Sequence, residues 1–344
     1  MGRGDVARLV AWSRTSARDQ VGRRLAFLLE ALGSSRVHEV ESAVIGAEGP
    51  ERPEDCELLV VVAHWRGASA PAREADEPAV ACLRALLELP VRRLEIVLVT
   101  DDVPGTQELV GLLGERGDVT IRIERWRPHG WRRHGYHLPW HHKVVFRRAL
   151  RDERLTHLLY LEDDIAFTAA NLAYWLAVRA ALAPRGLLPG LVRFERLGGR
   201  RVLVDQTRSG QHEEAGPEVS IDGIGTVSVR RSLRPYRACA LLDRRLAVAH
   251  LRASPFRSPL RSLVVRWGLR ERAAAGETFG PTGRPLLGVL RPSAVRPPIR
   301  DAVLLDCRED TPSGPHDGSL IEHLRPTYSR DPSSRLGKVA VEDF

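Results

Sequence analysis

The stretch Leu158-Leu159-Tyr160-Leu161-Glu162-Asp163-Asp164-Ile165 runs an apolar segment straight into three consecutive carboxylates. An unbroken apolar run is what a strand buried on both faces requires, and such strands belong to parallel sheets covered by helices. Ligands of open α/β sheets bind outside the carboxyl ends of the strands, which is where these acids fall. Three adjacent negative charges repel one another. They stay ionised when solvated, paired with arginine or bound to a cation. The two-residue period of a strand puts Glu162 and Asp164 on one side and Asp163 on the other. Hard oxygen ligands of this kind suit Mg²⁺ or Mn²⁺, which in turn grip a diphosphate. A strand-end turn whose acids pair with surface arginines fits the same residues.

Outward from this segment the chain alternates strands and helices. Residues 58–63 (LLVVVA), 94–100 (LEIVLVT), 119–123 and 155–161 are expected strands. Residues 78–89, 107–113, 141–150 and 171–183 are expected helices, the first ended by Pro90 and the last followed by Pro184 and Gly186. Residues 101–105 (DDVPG) read as a turn. This order implies an α/β fold with a mixed, mainly parallel sheet flanked by helices. The second half is less regular. Residues 191–195 and 201–205 flank Gly198-Gly199 as the arms of a hairpin would. Residues 207–226, 280–298 and 308–319 are rich in glycine, proline or polar residues and read as loops. Residues 238–251 fit a strand or a helix, and 266–275 fit a helix with Gly276 behind it.

The first 55 residues read as an N-terminal helical extension and linker. Ser16 and Asp19 have capping-box spacing, and Val21, Leu25, Leu28, Leu29 and Leu32 repeat at helical spacing before Gly33. Residues 46–55, rich in Gly, Pro and Glu, read as the linker. At 344 residues the chain suits one large domain or two small ones. Its 43% hydrophobic and 28% charged residues suit a globular protein rather than wholesale disorder. No apolar run approaches the ~18 residues of a membrane span. Residues 1–10 carry Arg3, Asp5 and Arg8 and no apolar block, so a secretory signal is not expected. The four cysteines form no C-x-x-C pair, which excludes a zinc ribbon and a disulfide-dense scaffold and fits a reducing, cytoplasmic location. The net charge of +8 comes almost wholly from arginine, with Lys143 and Lys338 the only lysines. Arginine spread along the whole chain reads as a codon-biased solvated surface, or as a surface that meets phosphates.

The buried strand, the E-D-D acids and the helix opening Asn171-Leu172-Ala173-Tyr174-Trp175-Leu176 resemble the A-type nucleotide-sugar glycosyltransferases (GT-A fold) with their D-x-D signature. The order continues with His142-Lys143 ahead of the strand and residues 187–195 (LLPGLVRFE) behind it. Arg270-Glu271, Ile321-Glu322-His323-Leu324 and Leu336-Gly337-Lys338-Val339 follow. The resemblance extends over residues 58–344. It implies a catalytic domain over 56–344, with a nucleotide-binding half at 56–186 and an acceptor-binding half at 187–344. It implies sugar transfer from a nucleotide-diphosphate sugar to a glycan, lipid or small-molecule acceptor, with Mn²⁺ or Mg²⁺ as cofactor. Asp164 would then ligate the metal, Glu162 and Asp163 would contact the ribose or metal-bound water, and His323 would complete the coordination. This chain has Glu, one methylene longer, in place of the first Asp. Lys143, Lys338 and Arg335 would add positive charge near the phosphates, and residues 308–319 would order over the donor. An inverting enzyme also needs a general base. An acid between the motif and the late histidine points to Glu271, with Asp243 as the runner-up. Blander readings stand beside these: His323 as a half-buried histidine, and Glu271 as a helix-start carboxylate flanked by two arginines.

The segment His129 to Lys143 packs five histidines, three cationic residues and three aromatics. Its spacing matches no standard metal-ligand set. It reads as a loop feeding a helix, as a contributor to diphosphate binding, or as a single-strand nucleic-acid stacking surface. No G-x-x-x-x-G-K-[ST], no G-x-G-x-x-G after the first strand and no G-x-S-x-G is present, which argues against P-loop, dinucleotide and serine-hydrolase chemistry. Two alternatives to glycosyl transfer stay open: a nucleotidyltransferase or related metal-dependent phosphoryl enzyme, and a non-enzymatic basic nucleic-acid-binding protein. The favoured reading expects no nucleic-acid partner and is compatible with peripheral membrane contact.

Overall fold

The computed structural model describes residues 46–66, 72–113, 119–127, 135–204, 213–222, 224–231, 238–252, 300–308, 311–315, 317–325 and 339–340. The expected helices at 21–32 and 266–275, the loop at 280–298, and Glu271, Arg335 and Lys338 lie outside these residues.

The chain begins with β1 (Glu57–His64), α1 (Ala72–Leu87), β2 (Arg93–Thr100), α2 (Val103–Gly111) and β3 (Val119–Arg125). Next come α3 (His142–Ala149), β4 (His157–Glu162), β5 (Ile165–Ala166) and α4 (Ala169–Leu182). The second half contributes β6 (Leu187–Pro189), β7 (Val192–Leu197), β8 (Arg200–Leu203), β9 (Glu213–Ile221), β10 (Gly225–Arg231), β11 (Cys239–Asp243) and α5 (Arg244–Arg252). It ends with β12 (Arg300–Arg308), β13 (Thr311–Pro315), β14 (Leu320–His323) and β15 (Val339–Ala340).

The central sheet has the order β11-β4-β1-β2-β3. Its four sequential strands are parallel, and β11 joins antiparallel on β4. The apolar runs of β1 and β4 are buried along nearly their whole length, as helix cover on both faces demands. Helix α1 packs with α2, and α3 with α5. A second sheet follows β13-β12-β10-β9, with β6 parallel to β12, and a third follows β15-β8-β7-β14-β5. The architecture is therefore a mixed, mainly parallel sheet flanked by helices, with two further five-stranded sheets built from the second half and the short β5.

Several local readings change in the folded chain. Residues 101–105 are a helix start rather than a turn: Asp102 caps α2 by accepting from the Gly105 amide at 3.3 Å. Helix α1 begins before Pro78 and carries that proline inside it, at the loss of one helical hydrogen bond. The polar stretch read as a loop at 207–226 contains β9 and the start of β10. Val219, Ile221, Val227 and Val229 bury one face of that hairpin while serine and threonine line the other. Residues 308–319 likewise contain β13 and a 3-10 turn at Asp317–Ser319. The ambiguous 238–251 is a strand and then a helix. Residues 46–55, read as a linker, are laid against the amino-terminal edge of the central sheet. There Arg179 donates to the Gly46 carbonyl at 3.0 Å, and Gly49 adopts φ +104° next to His157.

Candidate functional site

The parallel register aligns the carboxyl ends of β1, β2, β3 and β4, pairing Ala63 with Glu162 and His64 with Thr100. Strand β4 stops at Glu162, and Asp163-Asp164 form a turn into the short β5. The two-residue alternation therefore does not carry on to Asp164. Instead each acid finds a different partner. Glu162 Oε1 accepts from the Tyr160 hydroxyl at 3.3 Å. Asp163 Oδ2 lies 2.7 Å from His64 Nδ1, and Asp164 Oδ2 lies 3.4 Å from His323 Nε2. This separation answers the repulsion that three adjacent carboxylates would otherwise suffer.

His323 reaches the acids because β14 is wedged between β5 and β7. It pairs antiparallel with β5, placing His323 opposite Ile165, and parallel with β7, placing Glu322 opposite Phe194. The next residue of β7 is Glu195, fully buried, whose Oε1 accepts from His323 Nδ1 at 2.8 Å. The Leu324 amide donates to the Asp164 carbonyl at 2.7 Å and locks the two segments together.

These contacts set the charges. Burial opposes the charge on His323, but its hydrogen bonds to Asp164 and Glu195 prevail and raise its pKa to about 9. Burial also opposes ionisation of Asp164. The His323 hydrogen bond and the charges of His323, Arg325 and Arg193 outweigh it and hold the carboxyl below its ordinary range. Asp163 goes the other way. Its burial, reinforced by the neighbouring Asp164 charge, raises it despite the hydrogen bond from His64. Asp164 Oδ1 and His64 Nε2 are buried with no hydrogen-bond partner among the described residues.

Two more of the expected site residues, Lys143 and Asp243, lie among the described residues. Lys143 is buried in the first turn of α3, its ammonium 3.7 Å from the centre of the Trp140 ring. Beside it, the His142 ring packs 4.5 Å from Tyr160 and shares a 3.2 Å contact with His250 Nε2. Burial holds His142 and His250 well below the ordinary histidine value, so both are neutral. Of the histidine-rich segment, His141 meets Glu124 at 3.2 Å and His142 is core.

Asp243 is not brought to the acids. Antiparallel pairing puts it opposite His157, at the far edge of the sheet, some 16 Å of strand from Glu162 at ~3.3 Å per residue. It is buried there in an ion pair with Arg179 at 2.9 Å and accepts from the Leu246 amide at 2.8 Å, capping α5. A carboxylate so enclosed has no access to an acceptor hydroxyl, so its reading as a general base is corrected to a structural one. The sequence alone gave His64 and Glu195 no role at the site, because only sheet register brings His64 to Asp163 and Glu195 to His323.

Among the described residues no three His, Cys, Asp or Glu side chains converge as a metal-ligand set. Asp164 and His323 fit a cation in part, with His323 a ligand once its Nε2 proton has left. Their 3.4 Å separation is near the ~3 Å edge of an octahedral shell with ~2.1 Å bonds, and Asp164 presents an unused oxygen. Glu195 behind His323 is the kind of outer carboxylate that orients a ligating imidazole.

No protein-family model matches the chain, and no curated protein does. Among solved structures, it is similar to the 4-diphosphocytidyl-2C-methyl-D-erythritol synthase of Anaerococcus prevotii DSM 20548, at 10% identity and a TM-score of 0.30, covering 59% of this chain and 77% of that one. It is also similar to mouse xyloside xylosyltransferase 1 in its apo form, at 12% identity and a TM-score of 0.33, covering 64% of this chain and 79% of that one. No helix of the described residues is long and apolar enough to cross a membrane.

Proposed function

We propose that this chain is a metal-dependent glycosyltransferase that takes a nucleotide-diphosphate sugar as donor and acts in the cytoplasm. One observation carries the reading. At the carboxyl edge of a parallel sheet, Asp164 holds a buried oxygen with no partner among the described residues, 3.4 Å across its other oxygen from His323. Asp164 and His323 would hold Mg²⁺ or Mn²⁺, with water and phosphate oxygens filling the other positions, as these ions prefer. Bound there, the cation would neutralise charge growing on the departing nucleoside diphosphate. Glu195 orients His323 through Nδ1, and His64 holds Asp163 toward β1. In this reading Glu162 and Asp163 meet the ribose or metal-bound water, Lys143 and Lys338 add charge near the phosphates, and Glu271 is the candidate general base. Cys56 and Cys82, free and buried, accord with a reducing compartment.

The test is a metal-dependent rise in melting temperature with UDP- and GDP-sugars, followed by donor hydrolysis with Mn²⁺. Asp164→Asn removes a full charge beside the cation. It should abolish the metal-dependent shift and the turnover while sparing the fold. A shift with nucleoside triphosphates but not with nucleotide-sugars would replace this reading with a phosphoryl-transfer enzyme. Unchanged hydrolysis in Asp164→Asn would end it.

A further inference from the structure

Asn171 has no role in the chemistry above, yet it is a fully used polar side chain in the core, 1% exposed. Its Nδ2 donates to the Gly318 carbonyl at 2.9 Å and to the Leu320 carbonyl at 2.7 Å. Its Oδ1 accepts from the Thr168 amide at 2.9 Å and the Thr168 hydroxyl at 3.0 Å. The two oxygens it grips bracket the start of β14, the four-residue strand that ends in His323. The other end of β14 is held by the Leu324 amide on the Asp164 carbonyl. Between these ties, β14 pairs with β5 through Glu322 and His323. Thus the strand carrying His323 is fastened at both ends to one short segment, 164–171, which begins with the acid that His323 faces.

We propose that Asn171 is a positioning residue that sets the spacing between Asp164 and His323, and through it the affinity of the cation site. The geometric half stands on the contacts above; the functional half rests on the metal reading. Without the Asn171 contacts, the start of β14 would rest on its pairing with β7 alone, since its pairs with β5 lie at Glu322 and His323. Direct hydrogen-bond partners of metal ligands are worth about 10–100-fold in affinity, and Asn171, acting one step further out through the strand that carries His323, is expected at the low end of that range.

The experiment uses the full chain. Asn171→Asp keeps the size of the side chain and the oxygen that Thr168 requires, but replaces the amide donors with an oxygen facing two carbonyls. Asn171→Ser, neutral and too short to reach them, serves if the aspartate variant does not fold. Thr168→Ala is the control, because it strips the helix-capping hydroxyl and leaves the two carbonyl contacts in place. Mn²⁺ affinity is read from the electron paramagnetic resonance signal of the free ion, and β14 from amide exchange over residues 318–325. Either Asn171 variant should weaken Mn²⁺ binding by about tenfold and speed exchange at Leu324. Thr168→Ala should lower the melting temperature and leave Mn²⁺ affinity unchanged. Unaltered Mn²⁺ binding and exchange in a folded Asn171 variant would overturn the proposal, as would an equal loss in Thr168→Ala. If the unmodified protein takes no Mn²⁺, the metal reading fails, and exchange at Leu324 alone decides whether Asn171 holds β14.

Discussion

Asp243→Asn removes one charge from an ion pair sealed inside the protein. Asp243 is wholly buried and Arg179 is 2% exposed, with Arg179 Nε 2.9 Å from Asp243 Oδ2. Asparagine preserves the shape of the side chain, and its Oδ1 can still accept from the Leu246 amide that caps α5. What is lost is the counter-charge of a buried guanidinium. Breaking such a pair by removing one partner costs about 3–5 kcal/mol. With about 2.1 cal/mol/K of unfolding entropy per residue, each kcal/mol moves the melting temperature of a 344-residue chain by about 1.4 °C, so Asp243→Asn should lower it by roughly 4–7 °C. Thermal and urea melts measure this. The double variant Arg179→Met with Asp243→Leu should regain much of the loss, because it leaves no buried charge unpaired. Mn²⁺ affinity and turnover per folded molecule should stay unchanged in Asp243→Asn, since the pair lies at the edge of the sheet away from Asp164. A melting temperature within ~2 °C of the parent would refute the energetic argument. Lost turnover with stability preserved would refute the placement and return Asp243 to catalysis.

Two further outcomes concern protonation and the histidine at the site. Burial, with the Arg179 charge beside it, lowers the pKa of His157 from 6.5 to about 4. The unfolded chain takes up that proton near the ordinary value, so stability is full above it and falls as the pH drops from about 6.5 to about 4, by up to about 3 kcal/mol. His142 and His250 act in the same direction. Melts over that range should show the loss and His157→Gln should reduce it; a flat profile in the parent protein would contradict the burial. Glu195→Gln keeps an acceptor for His323 Nδ1 but removes the charge behind the imidazole, and should weaken Mn²⁺ by about 10–100-fold in a direct titration. Equal binding would make Glu195 a packing residue only.

The parallel core was legible because it is written in local terms. Residues 58–63, 94–100 and 158–161 are apolar runs too continuous for a half-exposed strand, and they became β1, β2 and β4. The position of Asp164 followed from the same run, since acids that close a buried strand must emerge at its carboxyl end. Pro184 and Gly186 marked the end of α4, and Gly198-Gly199 marked the β7–β8 turn, where both adopt positive φ. Local pattern did not reveal β9 and β10. Their polar faces outweigh four buried valine and isoleucine residues in composition, and only pairing across the hairpin makes them a sheet.

Partnership was decided by tertiary structure alone. Nothing near Asp164 in sequence names Glu195, and nothing near Asp163 names His64. The strand register of two different sheets brings each to its place. The same register carried Asp243 away from the acids, because β11 runs antiparallel to β4 and delivers its last residue to the opposite edge. A carboxylate in the sequence is only a charge. Whether it meets a histidine, an arginine or an open coordination position depends on which strand lies beside it. That choice is made by long-range packing of apolar faces, which the order of residues constrains without specifying the neighbour.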